Sequence, residues 1–225
     1  MGNRAVIINK SDMLNTGLIN PNQIGIYLHW NGGRDSVEAF LKYCELQRYR
    51  KPSDDCYGWA CLCKVIGNYF GDGLSLGIDI AAHLNCDNWD NGVYIIDGWE
   101  IVGRLYQKYD EQNHYKLKEM LLDIDKSMPE EDQLGEGYLN AEEVPVEDIK
   151  IGDKVYLPYD SPREPYEVIG CGQGVVNGST ITGIPYVCKY STDDPASDIN
   201  NYLVRETWSG TYAPATVRRM CNKQA

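Results

Sequence analysis

Three histidines (His29, His83, His114) and eight cysteines (Cys44, Cys56, Cys61, Cys63, Cys86, Cys171, Cys188, Cys221) are the groups with which this chain could hold a metal or raise a thiol nucleophile. Cys61 and Cys63 stand two apart in a helical stretch, so their side chains diverge, and Cys56 lies outside the two-residue gap of a zinc knuckle. His83 and Cys86 have workable spacing, but no second pair stands nearby. The expectation is therefore buried free thiols, with no metal and no other cofactor. Asp87-Asn-Trp-Asp90-Asn-Gly92 resembles a calcium loop only superficially. With Gly92 in the invariant glycine place, Trp89 and Gly98 would fall where oxygen ligands belong. A tight hairpin turn fits those residues better.

A Cys–His pair is permitted by composition, yet no spacing specifies one. Gly73-Leu-Ser-Leu-Gly77 has the spacing G-x-S-x-G but runs into the predicted strand 74–80 with no helix after it, so it is no nucleophile elbow. The chain has no phosphate loop or dinucleotide fingerprint, and no catalytic residue is assigned. Gly170-Cys-Gly172-Gln-Gly174 is glycine-rich, but it lies among predicted strands and precedes no helix that would cradle a phosphate. The stretch Trp30-Asn-Gly-Gly-Arg34 brings a strand end, a turn and a helix start together. Such a junction can bind an anion through free amides, or it can be a structural connection alone, and the second reading is preferred. The candidate binding residues are Tyr27, His29, Trp30, Asn31 and Arg34 at this junction, and Asp87, Trp89, Asp90 and Asn91 in the second turn. Aromatic and arginine side chains dominate binding energy at protein surfaces, which is why these turns are singled out.

These positions depend on elements that are legible in the sequence. Ala5–Ile8 is a short apolar run and residues 24–30 alternate with period two, which predicts an antiparallel ribbon. Asp35 reads as an N-cap with Glu38 three residues on, and Val37, Phe40, Leu41 and Cys44 mark one face of a helix ending at Lys51-Pro52. A second helix is capped from Ser53–Asp55 and carries Trp59, Leu62, Cys63, Ile66 and Phe70 before Gly71-Asp72-Gly73 closes it. Strands follow at 74–80, 93–96 and 99–102, and a last helix spans about 113–128 with Leu117, Met120, Leu121 and Ile124 on one face. The fold class predicted for residues 1–128 is α+β, a mostly antiparallel sheet with helices on one face.

Charge places the boundary. Of the net −12, residues 1–128 carry 17 acids and 13 bases, residues 129–150 carry 8 and 1, and residues 151–225 carry 8 and 7. The acidic stretch 129–147 therefore reads as a solvated linker, in which Tyr138 and Leu139 can dock locally. Extended runs at 148–157, 166–169, 175–176, 184–187 and 202–205, separated by Pro, Gly and Asn177-Gly178, predict a small all-β barrel, SH3-like, over 148–225. No basic stripe exists to displace counterions from phosphate, so direct nucleic-acid binding is not expected. No apolar run approaches the roughly 20 residues of a membrane helix, and MGNRAVIINK lacks the regions of a signal peptide. Met1-Gly2 does not open a myristoylation signal, since Val6 stands where Ser or Thr is wanted. A cytoplasmic protein with reduced thiols is expected. The aromatics are lopsided, 17 Tyr and 5 Trp against 2 Phe, which suits half-exposed faces that keep a polar handle.

The strings GNRAVI (2–7), IYLHWNGGRDSVEAFL (26–41), YGWACL (57–62) and DNGVYIIDGWEIVGR (90–104) resemble a family of uncharacterised bacteriophage and prophage proteins. The resemblance covers most of the first domain and carries no activity or functional residue. It implies a mobile-element gene acting in a bacterial cell, where accessory proteins often inhibit host defence, anti-CRISPR proteins among them. The function expected is then a non-enzymatic interaction protein whose partner is a bacterial defence protein such as a nuclease effector. Two alternatives stay open: a binder that sequesters a nucleotide signal by stacking on Tyr and Trp, and a thiol- or metal-dependent hydrolase.

Overall fold

The computed structural model describes residues 2–73, 75–108, 110–157, 162–176, 179–188, 205–207, 210–212 and 216–221, with backbone alone for 147, 169–176, 179–188, 205–207 and 210–212. It divides into two compact units, 1–133 and 134–225.

In the first unit, β1 (Ala5–Asn9) is buried at all five positions, as an uninterrupted apolar strand at the middle of a sheet must be. It pairs antiparallel with β2 (Ile24–Leu28), Ala5 opposite Leu28, so the predicted ribbon is present. Helices α1 (Arg34–Leu46) and α2 (Cys56–Phe70) follow, then β3 (Leu76–Ile80), β4 (Val93–Asp97), β5 (Glu100–Leu105) and helix α3 (Leu117–Ser127). The sheet order is β3-β2-β1-β4-β5. Three of its pairings are antiparallel, and β1 with β4 is parallel. The unit is thus α+β around a mixed sheet.

The three helices pack on one another, and through Phe40, Leu41, Tyr43, Leu62, Ile66 and Ile124 they supply fully or almost fully buried side chains. On the reverse face Val6, Ile8 and Val93 form a smaller core, closed by Met13, Ile19, Leu84 and Cys86 from the connecting loops. Both faces of β1 are therefore covered, one by helices and one by loops.

Three local expectations are corrected. Gly33, not Asp35, caps α1, because a Cβ at residue 33 would lie 2.3 Å from the Gln112 carbonyl oxygen. Glu38 forms an ion pair with Arg34 one turn earlier instead of reaching back to the cap. Residues 85–92 do not make a hairpin: β3 and β4 stand on opposite sides of the β2-β1 pair, so this turn-rich segment is a crossover. The cap of α2 is Asp55, whose carboxylate accepts the Tyr57 amide, and Gly71 at φ +54° closes the same helix.

The stretch 129–147 is not featureless. Its acids sit on a 3-10 turn (Glu130–Asp132), on the short helix α4 (Glu136–Leu139), on β6 (Glu142–Pro145) and on a second 3-10 turn (Val146–Asp148), while Tyr138 and Leu139 are buried. Lys64 meets Asp132 at 2.6 Å, so part of that acidity is spent within the first unit.

The second unit continues with β7 (Lys154–Tyr156), β8 (Tyr166–Val176), β9 (Ser179–Cys188), the pair β10 (Arg205–Thr207) and β11 (Gly210–Tyr212), and β12 (Thr216–Arg219). Five strands form an antiparallel sheet in the order β6-β12-β7-β8-β9 over a core of Val144, Ile149, Val155, Leu157, Tyr166, Val168 and Val217. Gly170 to Gly174 lie inside β8, where two register shifts against β9 accommodate them, rather than between strands. Among the described residues no strand closes this sheet into a barrel. The expected separator Asn177-Gly178 and the run Tyr202–Val204 lie outside the described residues.

Candidate functional site

One end of the first sheet gathers both singled-out turns. There β1, β3 and β4 begin and β2 and β5 end, so Asn31–Arg34 leaves β2 where Asp87–Gly92 enters β4. The two turns are tied to the residues that precede β1. Gly32 donates its amide to the Asn3 carbonyl at 2.8 Å, and Asn91 Nδ2 donates to Asn3 Oδ1 at 2.6 Å.

Asn91 is fully buried and the busiest polar group of the site. Its side chain also donates to the Arg4 carbonyl, its Oδ1 accepts the Gln112 amide at 3.1 Å, and its own carbonyl accepts Arg104 Nε at 2.7 Å. Asp90 Oδ2 accepts the Arg4 amide at 3.1 Å and Arg4 Nε at 2.6 Å. That pairing raises the pKa of Arg4 above its ordinary value, chiefly through the hydrogen bond. Buried Asn88 shapes the turn itself: Oδ1 accepts the amides of Asp90 and Gly92, and Nδ2 donates to the Gly92 carbonyl.

The network holds the backbone in costly conformations. Asn31 (φ +54°), Trp89 (φ +61°) and Tyr106 (φ +56°) all take the left-handed region at this end of the sheet. A bulky side chain there is uncommon, and such residues persist only where their surroundings over-determine them. Trp89 is nevertheless 60% exposed, and Trp30 46%. Lys108 Nζ sits 3.7 Å from the Trp89 ring centre and bonds Asp87 at 2.9 Å, fixing the indole between a cation and the turn. Tyr27, His29 and Trp30 form an aromatic row, with His29 and Trp30 edge to face at 5.1 Å and the Tyr27 hydroxyl 3.5 Å from His29 Nδ1.

At the start of α1 the amides of Asp35, Ser36 and Val37 are taken. Asp35 donates its amide to Asn113 Oδ1, its own carboxylate takes the Ser36 amide, and Val37 bonds the Gly33 carbonyl. The carboxylate also accepts the amides of His114 and Tyr115, and Arg34 bridges Glu38 and Glu111. Segment 111–115 thus straps the junction shut, and the chain's own groups occupy the place an anion would take.

The nine residues named from the sequence therefore divide. Asn31, Arg34, Asp90 and Asn91 are scaffold, Trp30, Trp89 and His29 are surface, and Tyr27 and Asp87 are half-buried beside them, Tyr27 next to His29 and Asp87 paired with Lys108. Sequence reasoning passed over Asn3, Arg4, Asn88, Arg104 and Gln112. The preference of Asn for turns that bond their own backbone was a signal for Asn88, and the other four carry none.

Four of the described thiols are raised by burial. Burial pushes Cys44 well above the usual thiol range, raises Cys61 and Cys86, and takes Cys63 up to about 11. Among the described residues no thiol bonds a histidine, and no group of three or more His, Cys, Asp or Glu lies close enough to hold a metal. The side chains of Cys171 and Cys188 are not among those described. No described helix is long and apolar enough to cross a membrane. A separate open cleft of about 430 Å³ lies beyond the end of α1, lined by Arg48, Tyr49, Arg50, Tyr57 and Cys61.

No protein-family model matches the chain, and neither the curated proteins nor the solved structures show a match.

Proposed function

We propose that this is an interaction protein of phage or prophage origin, acting in the bacterial cytoplasm, that binds and inhibits a defence protein such as a CRISPR or other nuclease effector. The observation that carries the binding part is Trp89, a solvent-facing indole held at positive φ by buried Asn88, Asp90 and Asn91. Folding alone gives no reason to hold a large aromatic in a conformation that favours glycine and then leave it in water. A rigid aromatic that is ordered before contact loses little entropy on binding, which is how anchor residues act. Trp30 extends the same face. The phage and defence part of the reading rests on the sequence resemblance alone. An SH3-like arrangement of the second unit belongs to the same proposal.

The test is retention of a bacterial protein from host lysate by the immobilised chain. Wild type is expected to retain a partner that the Trp30→Ala/Trp89→Gly double variant does not. Equal retention by both would overturn the assignment of the face.

The cleft beside α1 favours a second reading, a small anionic aromatic ligand. Arg50 lies 5.7 Å over the Tyr57 ring and pairs with Asp55 at 2.9 Å, a setting where a base can stack and a phosphate can displace the carboxylate. A nucleotide panel should raise the melting midpoint if this reading holds, because a ligand of the native state stabilises it by mass action.

A further inference from the structure

The two edges of the first sheet are built differently. β5 carries a register shift against β4 at Ile95/Ile96 and bears Glu100 and Arg104, devices that keep an edge from pairing further. β3, at the other edge, has no shift, no proline and no lysine, and its one charge, Asp79, accepts the amide of Ile80 beside it.

Which of its backbone groups face outward follows from the register. β3 pairs with β2 as Ile24 to Ile80, Gly25 to Asp79, Ile26 to Ile78, Tyr27 to Gly77 and Leu28 to Leu76. Just beyond the ends of the ladder, His29 donates to Ser75 and Ala81 donates to Gln23, so the odd-numbered positions of β3 hold the bonds to β2. Antiparallel ladders alternate, and Leu76, Ile78 and Ile80 therefore turn their N–H and C=O groups away from the sheet. At Ile80 both are already taken: its amide donates to Asp79 Oδ1 at 2.7 Å and its carbonyl accepts the His83 amide at 2.9 Å. Among the described residues two donors and two acceptors remain, on Leu76 and Ile78. Ile78 is 56% exposed, and Ile24 on the adjacent strand 46%.

We propose that β3 is a self-association edge, which pairs antiparallel with β3 of a second copy of this chain about a two-fold axis at Gly77. Among the described residues this register alone matches all four open groups. Leu76 exchanges both its bonds with the partner's Ile78, and Ile78 with the partner's Leu76. Gly77 meets its mate in the close, non-bonded position of the ladder, where Cα atoms approach to about 4.5 Å. Leu76 and Ile78 share one face, so each exposed Ile78 is covered by the other copy's Leu76. Charge agrees with the register. Asp79 comes opposite the second copy's Ser75, and the two carboxylates stand about 14 Å apart along the strands, beyond the roughly 8 Å over which physiological salt leaves charges in contact. An axis at Ile78 would need the groups of Ile80 that Asp79 and His83 occupy.

The test uses the full chain. Sedimentation velocity over a wide concentration range should show a reversible dimer that salt strengthens, since each copy carries net −12. Ile78→Pro removes an outward N–H that β2 does not use, a position where an edge strand tolerates proline. It should weaken the dimer by about tenfold or more, equivalent to about 1.4 kcal/mol, with the circular dichroism spectrum unchanged. Gly77→Cys should form a disulfide-linked dimer under mild oxidation far faster than wild type, because close non-bonded pairs lie within disulfide reach. Asp79→Cys should not. A chain that stays monomeric throughout, or a Gly77→Cys variant that links no faster than wild type or Asp79→Cys, overturns the proposal. So does an Ile78→Pro variant that loses a foreign partner while self-association persists. Trp30 and Trp89 lie outside this edge, so their substitution leaves the dimer intact, which separates this result from that of the binding face.

Discussion

Trp89 shows what a single residue contributes. In the left-handed region a side chain with a Cβ costs roughly 1–2 kcal/mol, and glycine escapes that cost. Trp89→Gly should therefore be more stable than Trp89→Ala by about 1 kcal/mol in chemical denaturation, although both lose the indole and its contact with Lys108. Equal stabilities would mean that the backbone there is not strained. Asn91 is the opposite case, a buried amide whose loss strands partners on Asn3, Arg4 and Gln112. Asn91→Ala is expected to cost about 3 kcal/mol or more, read in the same experiment. In the helical layer the Tyr43 hydroxyl donates to Asp125 Oδ1 at 2.7 Å, and burial first, then that carboxylate, raises its pKa far above the ordinary value. A raised folded-state pKa means the contribution is complete below the unfolded value of about 10 and is lost as pH climbs above it. Stability should thus fall with rising pH beyond about 10. Tyr43→Phe should flatten that fall and cost about 1–3 kcal/mol at neutral pH.

Among the elements, the strap 111–115 joins the α1 start to the rest of the site. Asp35→Ala removes the acceptor for two of its amides and is expected to cost about 1 kcal/mol, with faster hydrogen exchange at His114 and Tyr115. Unchanged exchange would show that the strap holds itself. This device also marks where the sequence stops being readable. Apolar runs marked β1 and β4, and period-two or helical spacings made β2, α1, α2, β3, β5 and α3 visible. Asp35 looked like a cap because its type and its distance from Glu38 are local facts. Its actual partners lie 79 and 80 residues away in a segment with no period. The Asn- and Gly-rich stretch before β4 announced a turn, but turn chemistry does not say which strands it joins. Strand order was not legible: the apolarity of Ala5–Ile8 on both faces says only that both faces of that strand are covered, and its partners appear in the fold alone. The aromatic members of the site were legible by residue type, whereas Asn3, Arg4 and Gln112 owe their roles to what folding brings beside them.

At the scale of the whole molecule, the acidic excess is concentrated in 129–150 while the candidate face belongs entirely to the first unit. A chain ending at Gln133 should therefore keep the partner that full-length protein retains, and loss of it would assign the second unit a share of the contact. The central claim is that the molecule acts through a pre-ordered aromatic surface. The most direct measurement is capture of a bacterial partner by full-length protein carrying Trp30→Ala/Trp89→Gly, with its melting midpoint recorded beside wild type. The account predicts capture lost and the midpoint close to wild type. Undiminished capture by a folded double variant would contradict it.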